Sequence, residues 1–190
     1  TKFRPKRFIR TVIKEFWDRP TKKMRSNKNT IFSSDIIWKK KSRSFLNLYT
    51  KNKNIFLPNY NLKNIIIVGS FIEVKNHIII LKIFSEILKK FPDWTLTIVG
   101  DGPLKDEYKK IINYHNIDKN VFFPGITDDV YSYYSKASIF ILPSLSEGLS
   151  LSLLEASSFG LPCIISDCSE SHNQIIIHNK NGYIYKKNSS

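Results

Sequence analysis

Residues 139–156 read Ile139-Phe140-Ile141-Leu142-Pro143-Ser144-Leu145-Ser146-Glu147-Gly148-Leu149-Ser150-Leu151-Ser152-Leu153-Leu154-Glu155-Ala156. An apolar run of strand length, a Pro-Ser turn, a glycine and a helical repeat follow one another. The pattern predicts a strand at Ile139–Leu142, a tight turn, and a helix over Leu149–Phe159. Gly148 lets a ligand approach the backbone closely, because it has no side chain. N–H groups at the helix start, together with the helix dipole, favour a phosphate there. Glu147 stands just before the helix, placed to accept hydrogen bonds from sugar hydroxyls. Glu155, eight residues on, returns near the same side of the helix, within reach of a ribose. Two carboxylates flanking one phosphate site suit a ligand with a hydroxylated sugar at each end. On spacing alone, an acidic residue favoured by the dipole plus an unrelated surface Glu accounts for the pair as well.

The same alternation extends outward over residues 61–190. Strands are expected at Asn64–Gly69, Trp94–Val99, Val121–Phe123, Pro162–Ser166 and Tyr183–Tyr185. Helices are expected at Asn76–Phe91, from Pro103 to about His115, and at Asp129–Ser135. Pro103 is placed to open its helix, where a missing N–H costs nothing. Strands that are apolar throughout, alternating with helices, imply a parallel sheet covered on both faces. Such sheets bind ligands beyond the carboxyl ends of the strands, near a topological switch point. The loops that matter therefore follow Val68, Val99, Phe123 and Leu142.

Charge divides the chain differently. Residues 1–60 hold 17 Lys and Arg against 3 Asp and Glu, whereas residues 61–190 hold 13 of each, so the net +14 sits in the first third. A segment this basic prefers an anionic surface such as lipid headgroups; a solvated lysine-rich flank is the plainer reading. Its pieces (Arg7–Trp17 and Ser34–Leu46 as helices, Thr30–Ser33 and Asn54–Leu57 as strands, Lys22–Lys28 as a loop) are too few for a second core. No run reaches membrane-span length, and no apolar h-region follows the basic N-terminal residues as a secretory signal requires. Cys163 and Cys168 fit no metal motif and are expected to be buried, reduced thiols.

Several stretches, in order, resemble glycosyltransferase family 4, whose members are retaining enzymes of the GT-B fold. Glu147 and Glu155, with Pro-Ser before them and Ala156 and Gly160-Leu161-Pro162 after, are similar to its Glu-x7-Glu signature. Val68-Gly69-Ser70-Phe71 with Lys75-Asn76-His77 resembles its first glycine loop, and Ile98-Val99-Gly100-Asp101-Gly102-Pro103-Leu104 its second. Val121-Phe122-Phe123-Pro124-Gly125 resembles the strand before the base-binding loop, and Asn181-Gly182-Tyr183 the closing Asn-Gly.

The resemblance implies a fold: the carboxyl-terminal, Rossmann-like half of a GT-B enzyme over residues 61–190, with residues 1–60 as the basic tail of the acceptor domain and the crossover linker. It also implies roles. Lys75 would hold the diphosphate and Glu147 the donor sugar, as the two catalytic groups. Gly69, Ser70, Gly100 and the amides of Gly148, Leu149, Ser150 and Leu151 would line the phosphate and sugar. Gly125, Ile126 and Thr127 would meet the base, and Glu155 the ribose. Front-face displacement, assisted by the leaving phosphate, is the implied chemistry. No metal or other cofactor is implied, and the chain has no Asp-x-Asp.

Ser70 departs from the family's usual Arg, which removes one of two phosphate cations, worth ~1.5 to 3 kcal/mol of phosphate binding. The family's Gly-Gly…Glu stands here as Glu170-Ser171…Gln174. The expected whole is a fragment, truncated at both ends, of a hexosyltransferase. It would use a UDP- or GDP-sugar and a glycan or lipid-linked acceptor in cell-surface polysaccharide synthesis. Its expected place is cytoplasmic, peripheral at the inner face of the membrane through residues 1–60, and alone it should bind donor without transferring sugar. The other classes weighed are a non-catalytic nucleotide-binding module; an oxidoreductase, for which Gly69–Val74 lacks Gly-x-Gly-x-x-Gly; and a nucleic-acid binder, for which no stacking or groove-reading motif is present.

Overall fold

The computed structural model describes residues 62–186; the elements expected between Arg7 and Leu57 lie outside them. Six strands form one parallel sheet: β1 (Asn64–Val68), β2 (Thr95–Val99), β3 (Val121–Gly125), β4 (Ile139–Leu142), β5 (Cys163–Ser166) and β6 (Gly182–Tyr185). They lie in the order β3-β2-β1-β4-β5-β6, with every pairing parallel. The helices between them are α1 (His77–Leu88), α2 (Lys105–His115), α3 (Val130–Ser135), α4 (Leu151–Ser158) and α5 (Glu170–Ile175).

Successive residues of the inner strands are buried, Ile65, Ile66 and Ile67 in β1 and all of β4 and β5. Successive side chains point to opposite faces, so burial of every one requires cover on both faces. The expected Rossmann-like α/β class is the observed one. β3, at the edge, departs from the apolar-throughout expectation: Phe122 is 49% exposed.

The order places the switch point between β1 and β4, which are paired through Ile65–Ile139 and Ile66–Phe140. The chain leaves β1 toward β2 and β3 on one side and resumes at β4, β5 and β6 on the other, so the loops after β1 and β4 meet at the carboxyl edge where such sheets bind ligands. Both loops are fixed. Gly69 N donates to Val99 O at 3.0 Å, Phe71 N to Asp101 O at 2.9 Å, and Leu145 N to Val74 O at 2.7 Å. Asn76, left-handed at φ 52°, turns the chain into α1 and donates from Nδ2 to Pro143 O at 3.3 Å.

Several bounds differ from the sequence reading. Pro103 does not open α2. The turn closes first, with Leu104 N donating to Phe71 O and Lys105 N to Gly102 O, and the helix begins at Lys105. α4 starts at Leu151 rather than Leu149, because the chain is still extended at Ser150. The structure adds a 3-10 turn at Glu73–Lys75 and the helix α5, neither of which the apolar pattern predicts. Of the two thiols only Cys163 is fully buried, and burial pushes it up to about 12; Cys168 is half-buried.

Candidate functional site

The 3-10 turn after β1 delivers Lys75 to this edge, and the loop after β4 delivers Glu147. Their side chains meet across the switch point: Lys75 Nζ donates to Glu147 Oε1 at 2.7 Å, with the side chains 23% and 10% exposed. Ser144, fully buried at the end of β4, donates its hydroxyl to the same Oε1 at 2.6 Å. One carboxylate oxygen thus takes both local donors.

Gly148 lies beside this pair and is exposed; a Cβ there would find nothing within 4 Å. Its carbonyl is held from behind by Ser169 Oγ (3.1 Å) and Ser171 Oγ (2.8 Å). The next residues enter α4. Ser150 makes no side-chain cap, its hydroxyl pairing with that of Ser152 at 3.2 Å, and the first helical bond is Leu154 N to Ser150 O. Among the described residues, the amides of the first turn and the positive end of the helix dipole therefore stand without a side-chain acceptor. Leu149 and Leu151 are exposed, as is Leu145 on the other side of Glu147.

Glu155 is the fifth residue of α4, one turn past its start. Tyr134, fully buried on α3, donates its hydroxyl to Glu155 Oε2 at 3.0 Å and to Ser152 O at 3.3 Å. Burial raises the Glu155 carboxyl above its ordinary value, and the Tyr134 bond opposes that rise.

The remaining expected residues spread along the carboxyl edge of the sheet. Gly69 lies under Lys75 and His77: a Cβ there would be 3.8 Å from Lys75 Cδ and 3.7 Å from His77 Nε2. Ser70 is exposed. Gly100 is needed first for packing, since a Cβ at its φ of +138° would sit 2.1 Å from Gly69 O. Gly125, Ile126 and Thr127 follow the edge strand β3, with Gly125 O accepting from Gly100 N at 2.9 Å and Ile126 84% exposed. The structure thus brings Lys75, Glu147 and the start of α4 together at the switch point. Gly125–Thr127 stand two strands away from β1, at the edge of the sheet.

The sequence profile of the glycosyl transferases group 1 matches residues 49–190. The chain belongs to that family. It is 35% identical over 157 residues to an uncharacterized glycosyltransferase of Haemophilus influenzae, which covers 80% of this chain and 44% of that protein. It is 36% identical over 100 residues to the Escherichia coli UDP-Gal:alpha-D-GlcNAc-diphosphoundecaprenol alpha-1,3-galactosyltransferase, covering 51% of this chain and 25% of the relative. The crystal structure of the pneumococcal O-GlcNAc transferase in complex with UDP and GlcNAc superposes with a TM-score of 0.65 at 26% identity, over 70% of this chain and 26% of that one. The chain spans less than half the length of each. Its sheet has the fold of the carboxyl-terminal half of GT-B glycosyltransferases.

Within this group 1 glycosyltransferase domain, sequence reasoning missed three side chains that shape the site. Tyr134 is one of three tyrosines in α3, and nothing in their spacing marks it out. Ser144 was noted only as part of Pro-Ser. His172, wholly buried on the unanticipated α5, lies where Glu147 and Lys75 influence it electrostatically; burial lowers its pKa. Among the described residues, no three His, Cys, Asp or Glu side chains are grouped to hold a metal.

The Glu155 environment sets a stability prediction for this domain. Its folded-state pKa is raised, so its contribution favours the fold below the ordinary carboxylate range and is lost as pH rises through the raised value. Glu155→Gln, which cannot ionise, is expected to melt at a higher temperature than the wild type at neutral pH. The difference should close on acidification, when both side chains are neutral. Thermal melts over a pH series check this.

Proposed function

We propose that this chain supplies the donor-binding half of a retaining hexosyltransferase. The donor is a nucleoside diphosphate sugar and the acceptor a glycan or lipid-linked glycan of cell-surface polysaccharide synthesis. The Lys75–Glu147 pair, set across the switch point beside the start of α4, carries the reading. A lysine there is anchored by a carboxylate and faces a helix end that attracts anions. A diphosphate arriving at this edge meets the Lys75 ammonium and the amides of Gly148 to Leu151, both of which stabilise the charge that grows on the nucleotide as it departs. Lys75 then exchanges Glu147 for phosphate oxygens, and Glu147, still held by Ser144, accepts from hydroxyls of the donor sugar. Glu155 accepts from the ribose through the oxygen that Tyr134 does not use, and the backbone at Ile126 and Thr127 meets the base.

Retention follows if the acceptor attacks from the face the diphosphate leaves, with a phosphate oxygen taking the proton. UDP is the favoured nucleotide over GDP, since the E. coli relative is named for UDP-Gal and the pneumococcal structure holds UDP. A lipid-diphosphate acceptor, as in the E. coli relative's name, agrees with the net +14 of residues 1–60, which would rest on an anionic membrane from the cytoplasmic side. No helix of the described residues is long and apolar enough to cross a membrane. Ser70 favours a second reading, a nucleotide-binding module without catalysis, because it is exposed and brings no cation to the phosphates.

Calorimetric titration of residues 1–190 with UDP and GDP, repeated for Glu155→Ala, tests the proposal. Binding of one nucleotide in the micromolar-to-millimolar range, weakened by the substitution, is expected. A folded protein that binds neither overturns it.

A further inference from the structure

We infer that Tyr134 is a positioning residue for Glu155, holding one carboxylate oxygen inward so that the other faces the nucleotide's ribose; this rests on the donor-site reading of Glu155. The Tyr134 ring is wholly buried, 5.5 Å from the Phe159 ring and 6.2 Å from the Phe140 ring between centroids. A phenylalanine would satisfy those contacts. Burying a hydroxyl carries a desolvation cost unless it is bonded, and both acceptors of this one lie on α4: Glu155 Oε2 at 3.0 Å and the Ser152 carbonyl at 3.3 Å. The hydroxyl therefore ties the carboxylate to the helix that carries it. Oε2 is committed to the interior, and the ligand's share falls to Oε1.

The titratable groups around this contact are Tyr131 on α3 and Cys163 on β5, together with Tyr134 and Glu155 themselves. Burial raises the Glu155 carboxyl and the donated bond lowers it. Without the hydroxyl the rise is unopposed, so acid should neutralise the ribose acceptor at a higher pH.

The test is Tyr134→Phe, titrated calorimetrically with UDP and with 2′,3′-dideoxy-UDP (and the guanosine pair in parallel) over a falling pH series. Loss of one charge-assisted bond predicts roughly tenfold weaker binding of UDP at neutral pH. Affinity for the dideoxy analogue should be unchanged, and UDP binding should fail on acidification earlier than in the wild type. An equal loss for both ligands would mean that the hydroxyl only supports packing. No loss for UDP, while Glu155→Ala still weakens it, would overturn the positioning role and leave the donor site standing. A wild type that binds neither UDP nor GDP removes the donor site and this inference together. Ring resonances of Tyr134 in the unmodified protein give a reading independent of the variant's folding. They should move on addition of UDP and not of the dideoxy analogue; a shift with neither, or with both equally, contradicts the role.

Discussion

Lys75→Met is expected to weaken UDP binding by roughly 10- to 150-fold, the equivalent of ~1.5 to 3 kcal/mol for a charge-assisted contact to an anion. The same substitution leaves the Glu147 carboxylate, 10% exposed, with the Ser144 hydroxyl but without its ammonium. A buried charge deprived of its partner costs the fold about 1 to 3 kcal/mol, so the melting temperature should fall as well. The two losses separate in the double variant Lys75→Met with Glu147→Gln. Neutralising the orphaned carboxylate should restore the melting temperature and leave nucleotide affinity low. If the double variant recovers both, Lys75 serves the fold and not the ligand. Thermal melts and titrations on the three proteins decide the matter.

Gly100→Ala is expected to do more damage still, and for a different reason. A Cβ at this position sits 2.1 Å from the Gly69 carbonyl oxygen and 3.5 Å from the Phe71 ring, on a backbone at φ +138° that side chains avoid. Strain of this kind costs about 1 to 3 kcal/mol by itself. The clash adds to it, because the loops after β1 and β2 must part, breaking the bond of Gly69 N to Val99 O. A loss of ~3 kcal/mol or more, or no cooperative transition at all, is the expected melt. Gly148→Ala provides the contrast. Nothing lies within 4 Å of a Cβ there, and its φ is not in the left-handed region, so the fold should tolerate it. A methyl on that open backbone should instead obstruct the diphosphate, lowering affinity with little change in melting.

These two glycines mark what the sequence could and could not say. Both stand in glycine turns after apolar strands, and both were read as lining a ligand. Only the folded chain separates them: Gly100 is set by the neighbouring loop and Gly148 by open space. Strand and helix identities within 62–186 were legible because continuous apolar runs and helical repeats report burial directly. Residues 170–175 carried no such signal, being polar outside the buried His172 and Ile175, and the helix there escaped notice. Lys75 and Glu147 were named from motif resemblance, but their direct pairing through one shared oxygen is a three-dimensional fact across 72 residues. Tyr134 belongs with these. Its hydroxyl matters only because α3 lays it against α4, and no spacing within Val130–Ser135 encodes that.

The claim that a nucleoside diphosphate sits at the β1–β4 switch point is tested most directly by titrating the isotopically labelled 190-residue chain with UDP and following its backbone amide resonances. The largest shifts are expected on Gly148 to Leu151, on Gly69 to Lys75 and on Gly125 to Thr127, with the first group lost in Lys75→Met. Shifts confined to residues away from these three loops would contradict it, as would a saturable UDP response that Lys75→Met leaves unchanged.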